Sequence, residues 1–197
     1  RFLNRIWRYV EENLDSLKAA GKNIIPMDKL TDKGLRDLKR KIHATIRDVT
    51  NDVYEEKQFN TAIARLMELT NAITSLSDSS PEAWEVKREA VNTLLNCLSV
   101  FCPHITEELW EMLGNDKMLC LEAWPAADEK SLIQDSVTIV AQINGKVRGK
   151  FERPAGISED DLKATILSEK LIQEKIAGKN ILKIITVPDK LINIVVK

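Results

Sequence analysis

With only 7 glycines and 2 histidines in 197 residues, this chain has little material for the loops and side chains on which most catalysis depends. No G-x-S-x-G elbow, P-loop, glycine-rich dinucleotide turn or H-E-x-x-H helix occurs in it. His43 lies beside basic residues in a helical pattern, and His104 follows Pro103 at a helix start, where capping or packing accounts for it. Glu107 and Glu108 do not form an acid and base pair, because adjacent helix residues point about 100° apart and carboxylates suit the positive end of a helix dipole. Cysteine is scarce as well. Cys97, Cys102 and Cys120 make an odd count with no paired spacing, which argues against a disulfide framework or zinc site and for reduced, mostly buried thiols. No apolar run approaches the roughly 20 residues that span a bilayer, and no charged-then-apolar leader opens the chain; a soluble, cytoplasmic protein is expected. The first residue, Arg1, stands inside a helical pattern, which reads as a piece of something longer. These absences direct attention from chemistry to binding.

What is present is a change of periodicity. Phe2, Leu3, Ile6, Trp7, Val10, Leu14 and Leu17 recur at helical intervals and predict a first helix ending near Gly21. A second, capped by Thr31 or Asp32, carries Leu35, Leu38, Ile42, Ile46, Val49 and Val53. A third contains Leu66, Leu69 and Ile73, and a fourth begins at Pro81 and contains Leu94, Leu95 and Leu98. After the short run closed by Gly114 the pattern dissolves, and from Val137 it becomes that of strands, broken by one helical stretch capped by Ser158. The expected fold is multidomain, α then α+β. An antiparallel helix bundle occupies residues 1–114, a connector 115–135, and a small α+β domain of strand-strand-helix-strand-strand order 136–197. Trp7, Trp84, Trp110 and Trp124 fall in apolar patterns or beside a proline and are expected in core packing.

Charge supplies the binding candidates. The net charge of -1 conceals 11 Lys/Arg against 8 Asp/Glu in residues 135–197, and 18 against 22 before them. Asn144-Gly145 between alternating segments predicts a two-residue type I′ hairpin. On its returning strand Val147, Gly149 and Phe151 are expected on one face and Lys146, Arg148 and Lys150 on the other, about 6.6 Å apart. Such a row can meet several phosphates of a nucleic-acid backbone; it can equally be a solvated strand whose lysines discourage edge pairing. Lys179 and Lys183 flank the third strand, and Lys190 and Lys197 bracket the fourth. In the second helix Arg36, Arg40 and Arg47 recur on one side, either as a basic face or as ordinary solvated charge.

The stretch NGKVRGKF at Asn144 to Phe151, the pair Gly178-Lys179 and the closing VPDKLINIVVK from Val187 to Lys197 resemble the C-terminal domain of bacterial-type leucyl-tRNA synthetases. RFLNRIWRYV from Arg1, FNTAIARLMELTN from Phe59 and FCPHITEELWEML from Phe101 are similar to that family's helical anticodon-binding-type domain, shared in looser form by the valyl, isoleucyl and methionyl enzymes. The resemblance covers essentially the whole chain. It implies a parent ligase that uses ATP and magnesium to charge tRNA(Leu) with leucine, of which this chain is the tRNA-binding tail. HIGH-like and KMSKS-like motifs and an editing domain are not found in it, so the piece is expected to have no cofactor and no catalytic or editing activity of its own. The implied partners are tRNA(Leu) and the catalytic and editing domains of the same polypeptide, with no membrane or DNA partner. The resemblance further implies that the bundle lies along the tRNA stem and that the small domain approaches the elbow. The anticodon is not expected to be read, since leucine has too many codons for a shared anticodon base to mark identity. Structured RNA is recognised largely by shape, phosphates and 2′-hydroxyls, which suits cations on a rigid platform. The candidate RNA-binding residues are Lys146, Arg148, Lys150, Lys179, Lys183, Lys197, Arg36, Arg40 and Arg47. A protein-interaction scaffold and the tail of another class I synthetase are the competing readings.

Overall fold

The structure, a computed structural model, describes residues 1–133 and 136–197, with the backbone alone at Ser136; positions 134 and 135 of the expected connector lie outside the described residues. The chain divides into two compact units, Arg1–Ile133 and Gln134–Lys197.

In the first unit the expected opening helix is two helices, α1 (Phe2–Glu12) and α2 (Leu14–Ala19). Asn13 leaves helical geometry (φ -118°, ψ 16°), and its Nδ2 donates to Tyr9 O at 2.7 Å, a local bond that competes with the helix ladder. α3 (Lys33–Thr50) starts where Asp32 Oδ1 accepts from Leu35 N at 2.9 Å, and a π-helical turn, Asn51–Glu55, extends it. α4 is Phe59–Ser75. α5 (Pro81–Ser99) is capped by Ser80, whose Oγ accepts from Ala83 N at 3.1 Å, with Pro81 in the first turn where no N–H is needed. α6 (Pro103–Met112) and the short α7 (Glu129–Leu132) complete the unit. Their apolar faces form one core that includes Val10, Leu17, Ile42, Leu66, Ile73, Leu95 and Leu109. Trp110 is buried, and Trp7, Trp84 and Trp124 pack half-buried against that core.

Two cations lie inside this unit. Arg88, 2% exposed, donates to Leu17 O (3.2 Å), Leu113 O (3.0 Å) and Asn115 Oδ1 (3.5 Å). The two carbonyls sit at or near the C-terminal ends of α2 and α6, where the helix dipoles are negative. Lys39 donates to both carboxylate oxygens of Glu89, at 2.6 and 2.5 Å. Residues 115–133, expected as a connector, are irregular but tied down to the bundle. Trp124 Nε1 donates to Thr50 Oγ1 (2.8 Å), Asn96 Nδ2 to Ala123 O (3.2 Å), Asp128 N to His43 Nδ1 (3.1 Å) and Arg40 Nε to Ile133 O (3.2 Å). Glu107 has a structural task here, since its two oxygens accept from Leu119 N and Cys120 N at 2.8 Å each.

The second unit contains β1 (Ser136–Ile143), β2 (Lys146–Pro154), α8 (Glu159–Ser168), α9 (Lys170–Ile176), β3 (Ile181–Val187) and β4 (Leu191–Val196). The one expected helix is two, because the backbone turns extended at Glu169 (φ -65°, ψ 123°). The sheet order is β2-β1-β4-β3, with β1 and β4 parallel and the other pairs antiparallel. Parallel neighbours need a long crossover, and β2, the two helices and β3 supply it. Ile139, Ala141, Ile143, Ile192, Ile194 and Val196 are buried with Leu162, Ile166 and Ile172 of the helices. Val140, Gln142, Leu191, Asn193 and Val195 therefore lie on the opposite, helix-free face.

Candidate nucleic-acid interface

The hairpin tip is held by more than its own turn. Asn144 and Gly145 take positive φ values of 50° and 76°, as a type I′ turn requires. Asn144 Oδ1 accepts from Val196 N at 2.9 Å while its Nδ2 donates to Val196 O at 3.0 Å, so this side chain extends the parallel ladder beyond β1. Gly145 N donates to Asn193 Oδ1 at 3.1 Å. Cations next to this turn stand on a fixed base.

Their faces differ from the alternation expected. Lys150 pairs with Val140 and Gly149 with Ala141, but Val147 pairs with Gln142 and Lys146 with Ile143, leaving Arg148 as an extra residue. One inserted residue reverses the alternation beyond it. By register Lys150 is on the open face, Lys146 on the side of Ile143, and Arg148 in the bulge; Val147, expected on the same face as Gly149 and Phe151, lies on the open face and is 57% exposed. The three cations are all exposed and surround the tip in place of forming a single row.

Strand order brings distant lysines to this tip. Because β4 runs parallel to β1, Lys197, the residue that follows it, lies beside the turn, and antiparallel β3 begins there. Asn180 and Lys197 exchange backbone hydrogen bonds at 3.0 Å, and Lys183 pairs with Val195 on the open face. Lys179 precedes β3, and its Nζ donates to Lys175 O at 3.1 Å. Lys146, Arg148, Lys179, Lys183 and Lys197 thus gather at one end of the sheet, with Lys150 farther along β2. Among the described residues none of these six forms an ion pair. Glu152, Glu159, Asp160, Asp161 and Asp189 occupy the other end, where Gly156 N donates to Asp189 Oδ1 at 2.9 Å. Arg153, Lys163 and Lys190 also stand at that end, so carboxylates there have cationic neighbours, whereas the hairpin end is predominantly basic. Lys175, in the last turn of α9, joins the basic end and was missed; its place just before Gly178 was the available signal.

The second-helix arginines have other work. Arg36 Nη1 donates to Leu30 O at 3.1 Å, Arg40 pairs with Asp37 at 2.8 Å as well as holding Ile133 O, and Arg47 pairs with Asp48 at 2.8 Å. On the same helix Lys39 is buried and Lys41 meets Glu68 at 2.6 Å, an interaction that also holds the Glu68 carboxyl below its ordinary range. α3 presents no continuous basic face. Exposed arginines of the first unit that make no ion pair among the described residues are instead Arg1, the cap of α1, and Arg5 and Arg8 within it, whose i, i+4, i+7 spacing was the signal passed over. His43 is structural. Its Nδ1 accepts the Asp128 bond, and burial, with Lys39 adding to it and Asp128 opposing, depresses its pKa. Among the described residues, no helix is long and apolar enough to cross a membrane, and no group of three or more His, Cys, Asp or Glu is placed to hold a metal ion.

The sequence profile of the anticodon-binding domain of tRNA ligase matches residues 36–164. The chain is 44% identical over 196 residues to the leucine–tRNA ligase of Acaryochloris marina and 44% identical over 197 residues to that of Geotalea uraniireducens. Both matches cover 100% of this chain but only 22% and 24% of those proteins, so it spans less than a quarter of their length. Among solved structures it is similar to the LeuRS in a ternary complex of Agrobacterium radiobacter LeuRS, tRNA and LeuAMS. The TM-score is 0.81 at 29% identity, with 100% of this chain and 25% of that one covered. Two thirds of the chain thus fall within one family profile, and the whole chain follows one solved fold. This chain belongs to the family of anticodon-binding domains of tRNA ligases.

Proposed function

We propose that this chain is the tRNA-binding portion of a leucine–tRNA ligase and positions tRNA(Leu) for aminoacylation carried out elsewhere in the same polypeptide. The observation that carries this reading is the basic end of the small unit, where Lys146, Arg148, Lys179, Lys183 and Lys197 stand without carboxylate partners beside a clamped hairpin. Cations on a rigid base meet phosphates of a folded RNA with little ordering cost, and they read shape more than base sequence. Catalytic and editing domains, ATP with its magnesium, and leucine belong to the remainder of the parent protein, and its place of work is the cytoplasm. The domain division is residues 1–114, 115–135 and 136–197, with residues 123–133 of the middle segment bonded to the bundle. A protein scaffold is the weaker reading, because family membership and the tRNA complex of the structural neighbour both favour RNA.

The test is binding of the chain to a leucine tRNA transcript across a salt series, beside an unrelated tRNA of equal length and the variant Lys146→Ala/Arg148→Ala/Lys183→Ala. The expected result is salt-dependent binding that prefers the leucine tRNA. In the variant the slope of log K against log salt should fall by roughly 0.7–0.9 for each phosphate no longer neutralised. Absence of binding at low salt, or a slope unchanged in the variant, would refute the assignment of this end of the sheet.

A further inference from the structure

A cleft of about 320 Å³ lies between α3 and α5 of the first unit, a size at the lower end of the range for pockets that hold organic ligands. His43 and Ile46 of α3 line it, with Arg88, Glu89, Asn92 and Thr93 of α5. Trp110 of α6 and two irregular segments, 21–24 and 125–126, form the remaining walls. The second segment is tied on either side by residues of the cleft itself. Asn96 Nδ2 donates to Ala123 O at 3.2 Å, and His43 Nδ1 accepts from Asp128 N at 3.1 Å.

α5 is polar where packing alone calls for apolar residues. At 100° per residue Arg88, Glu89, Asn92, Thr93 and Asn96 fall on one half of the helix, and Ala90, Val91, Leu94, Leu95 and Leu98 on the other. A polar helix side ordinarily faces water, yet Arg88 is 2% and Thr93 7% exposed, and the Glu89 side chain 10%. Structural bonds account for part of this polarity, since Glu89 holds Lys39 and Arg88 Nη1 holds two helix-end carbonyls. Three atoms are left over. Arg88 Nε, His43 Nε2 and Asn92 Oδ1 are buried and make no hydrogen bond among the described residues, a costly state for polar groups. Because His43 Nδ1 accepts, its Nε2 carries the proton of the neutral ring, so the three are two donors and one acceptor. Arg88 also has no carboxylate partner among the described residues; its acceptors are neutral carbonyl oxygens, and burial lowers its pKa.

We propose that this cleft binds a small aliphatic carboxylic acid that carries an α-hydroxyl or α-amino group. The carboxylate takes the two donors and supplies the negative charge that Arg88 lacks. The α-substituent donates to Asn92 Oδ1, one helical turn from Arg88, and the aliphatic body lies against Ile24, Ile46 and Pro125. Small side-chain rotations bring the three polar atoms to the cleft surface. The site is independent of the tRNA-binding role.

The experiment titrates the isotope-labelled full 197-residue chain with α-hydroxyisovalerate, valine, isovalerate, α-hydroxyisovaleramide and inorganic phosphate, following the Trp110 indole N–H and Asn92 side-chain amide by NMR. The expected result is saturable binding of α-hydroxyisovalerate or valine, the tighter of the two identifying the α-group. Isovalerate, without the α-donor, should bind about fivefold more weakly, and the amide, without the charge, about tenfold or more. Asn92→Leu should abolish binding without lowering the urea midpoint, because an apolar group replaces an unpartnered polar one. Ile24→Glu, at a wall position that is 67% exposed, leaves the fold intact and should weaken binding by placing a like charge beside the ligand. Phosphate binding as tight as that of the two acids would mean an adventitious ion only and overturn the proposal. So would failure of both acids to bind, or unchanged binding in both variants.

Discussion

Replacing Lys39 with Met should destabilise the first unit by about 3–5 kcal/mol at neutral pH, the range found when one partner of a buried pair is removed. The Lys39 side chain is 2% exposed and that of Glu89 10%, and the ammonium meets both carboxylate oxygens at 2.6 and 2.5 Å. Without Lys39, Glu89 keeps only His43, whose Nε2 is 3.6 Å away and makes no hydrogen bond with it. Burial already raises the Glu89 pKa, and the two effects of Lys39, its hydrogen bond and its charge, oppose that rise. Removing Lys39 lets the pKa climb further. The sign follows from proton binding: with the folded-state pKa above the unfolded one, the folded state holds more protons, so stability is greatest in acid and declines as pH rises through the raised value. The slope approaches about 1.4 kcal/mol per pH unit in that window. A Lys39→Met/Glu89→Met double variant should recover most of the loss, because well-packed apolar residues replace a buried ion pair at little net cost. Urea unfolding followed by tryptophan fluorescence is the assay, since Trp7, Trp84, Trp110 and Trp124 all lie in the first unit and report on it alone. A single-variant loss below about 1 kcal/mol, as for exposed pairs, or a double variant no more stable than the single, would refute the reasoning.

Gly149→Ala should loosen the hairpin, because an added Cβ would lie 2.7 and 2.8 Å from Phe151 ring atoms and 3.1 Å from Leu171 Cδ2. The ring would have to leave its place against the core, at about 1–3 kcal/mol for overpacking. Faster amide exchange along β1 and β2 checks this, and unchanged protection would count against it. Acid should weaken the hold of the first unit on residues 125–133, because the folded-state His43 pKa is depressed below its ordinary 6.5. The unfolded state then binds the extra proton first, so stability falls as pH drops through 6.5 toward the depressed value. His43→Gln should flatten that decline in a fluorescence-monitored melt series, and a decline that persists in the variant would assign it to other groups.

Local features were the legible ones. Asp32, Ser80 and Ser158 cap helices because each cap bond reaches a backbone N–H three residues away. Asn144-Gly145 turns the chain because both residues accept positive φ. Features that depend on a partner strand or helix could not be read in this way. The extra residue at Arg148 exists only in the pairing of β1 with β2, and it overturned the expected face of Val147 and Lys146. The partners of Arg36, Arg40 and Arg47 at Leu30, Ile133, Asp37 and Asp48 become visible only when helix ends and the 123–133 segment are in place. Asn13 divided the first helix although the apolar repeat runs through it, because periodicity records which face is buried and not whether the ladder is continuous.

The sequence by itself determined the two-part architecture, the positions of most helices and strands, the hairpin turn, the family and the excess of cations in the last third of the chain. All of these follow from short-range periodicity, turn chemistry and motif identity, which act over a few residues. Only the tertiary structure decided which cations stand together. Lys146 and Lys197 are far apart along the chain, yet a parallel β1–β4 pairing and the Asn144–Val196 bonds place them at one end of one sheet. Likewise the arginines of α1 became distinct from those of the more basic α3 only when packing gave α3 its carboxylate and carbonyl partners and left Arg5 and Arg8 facing solvent. Charge count is a property of composition, whereas an interface is a property of distance, and distance between remote residues is fixed by strand order and helix packing.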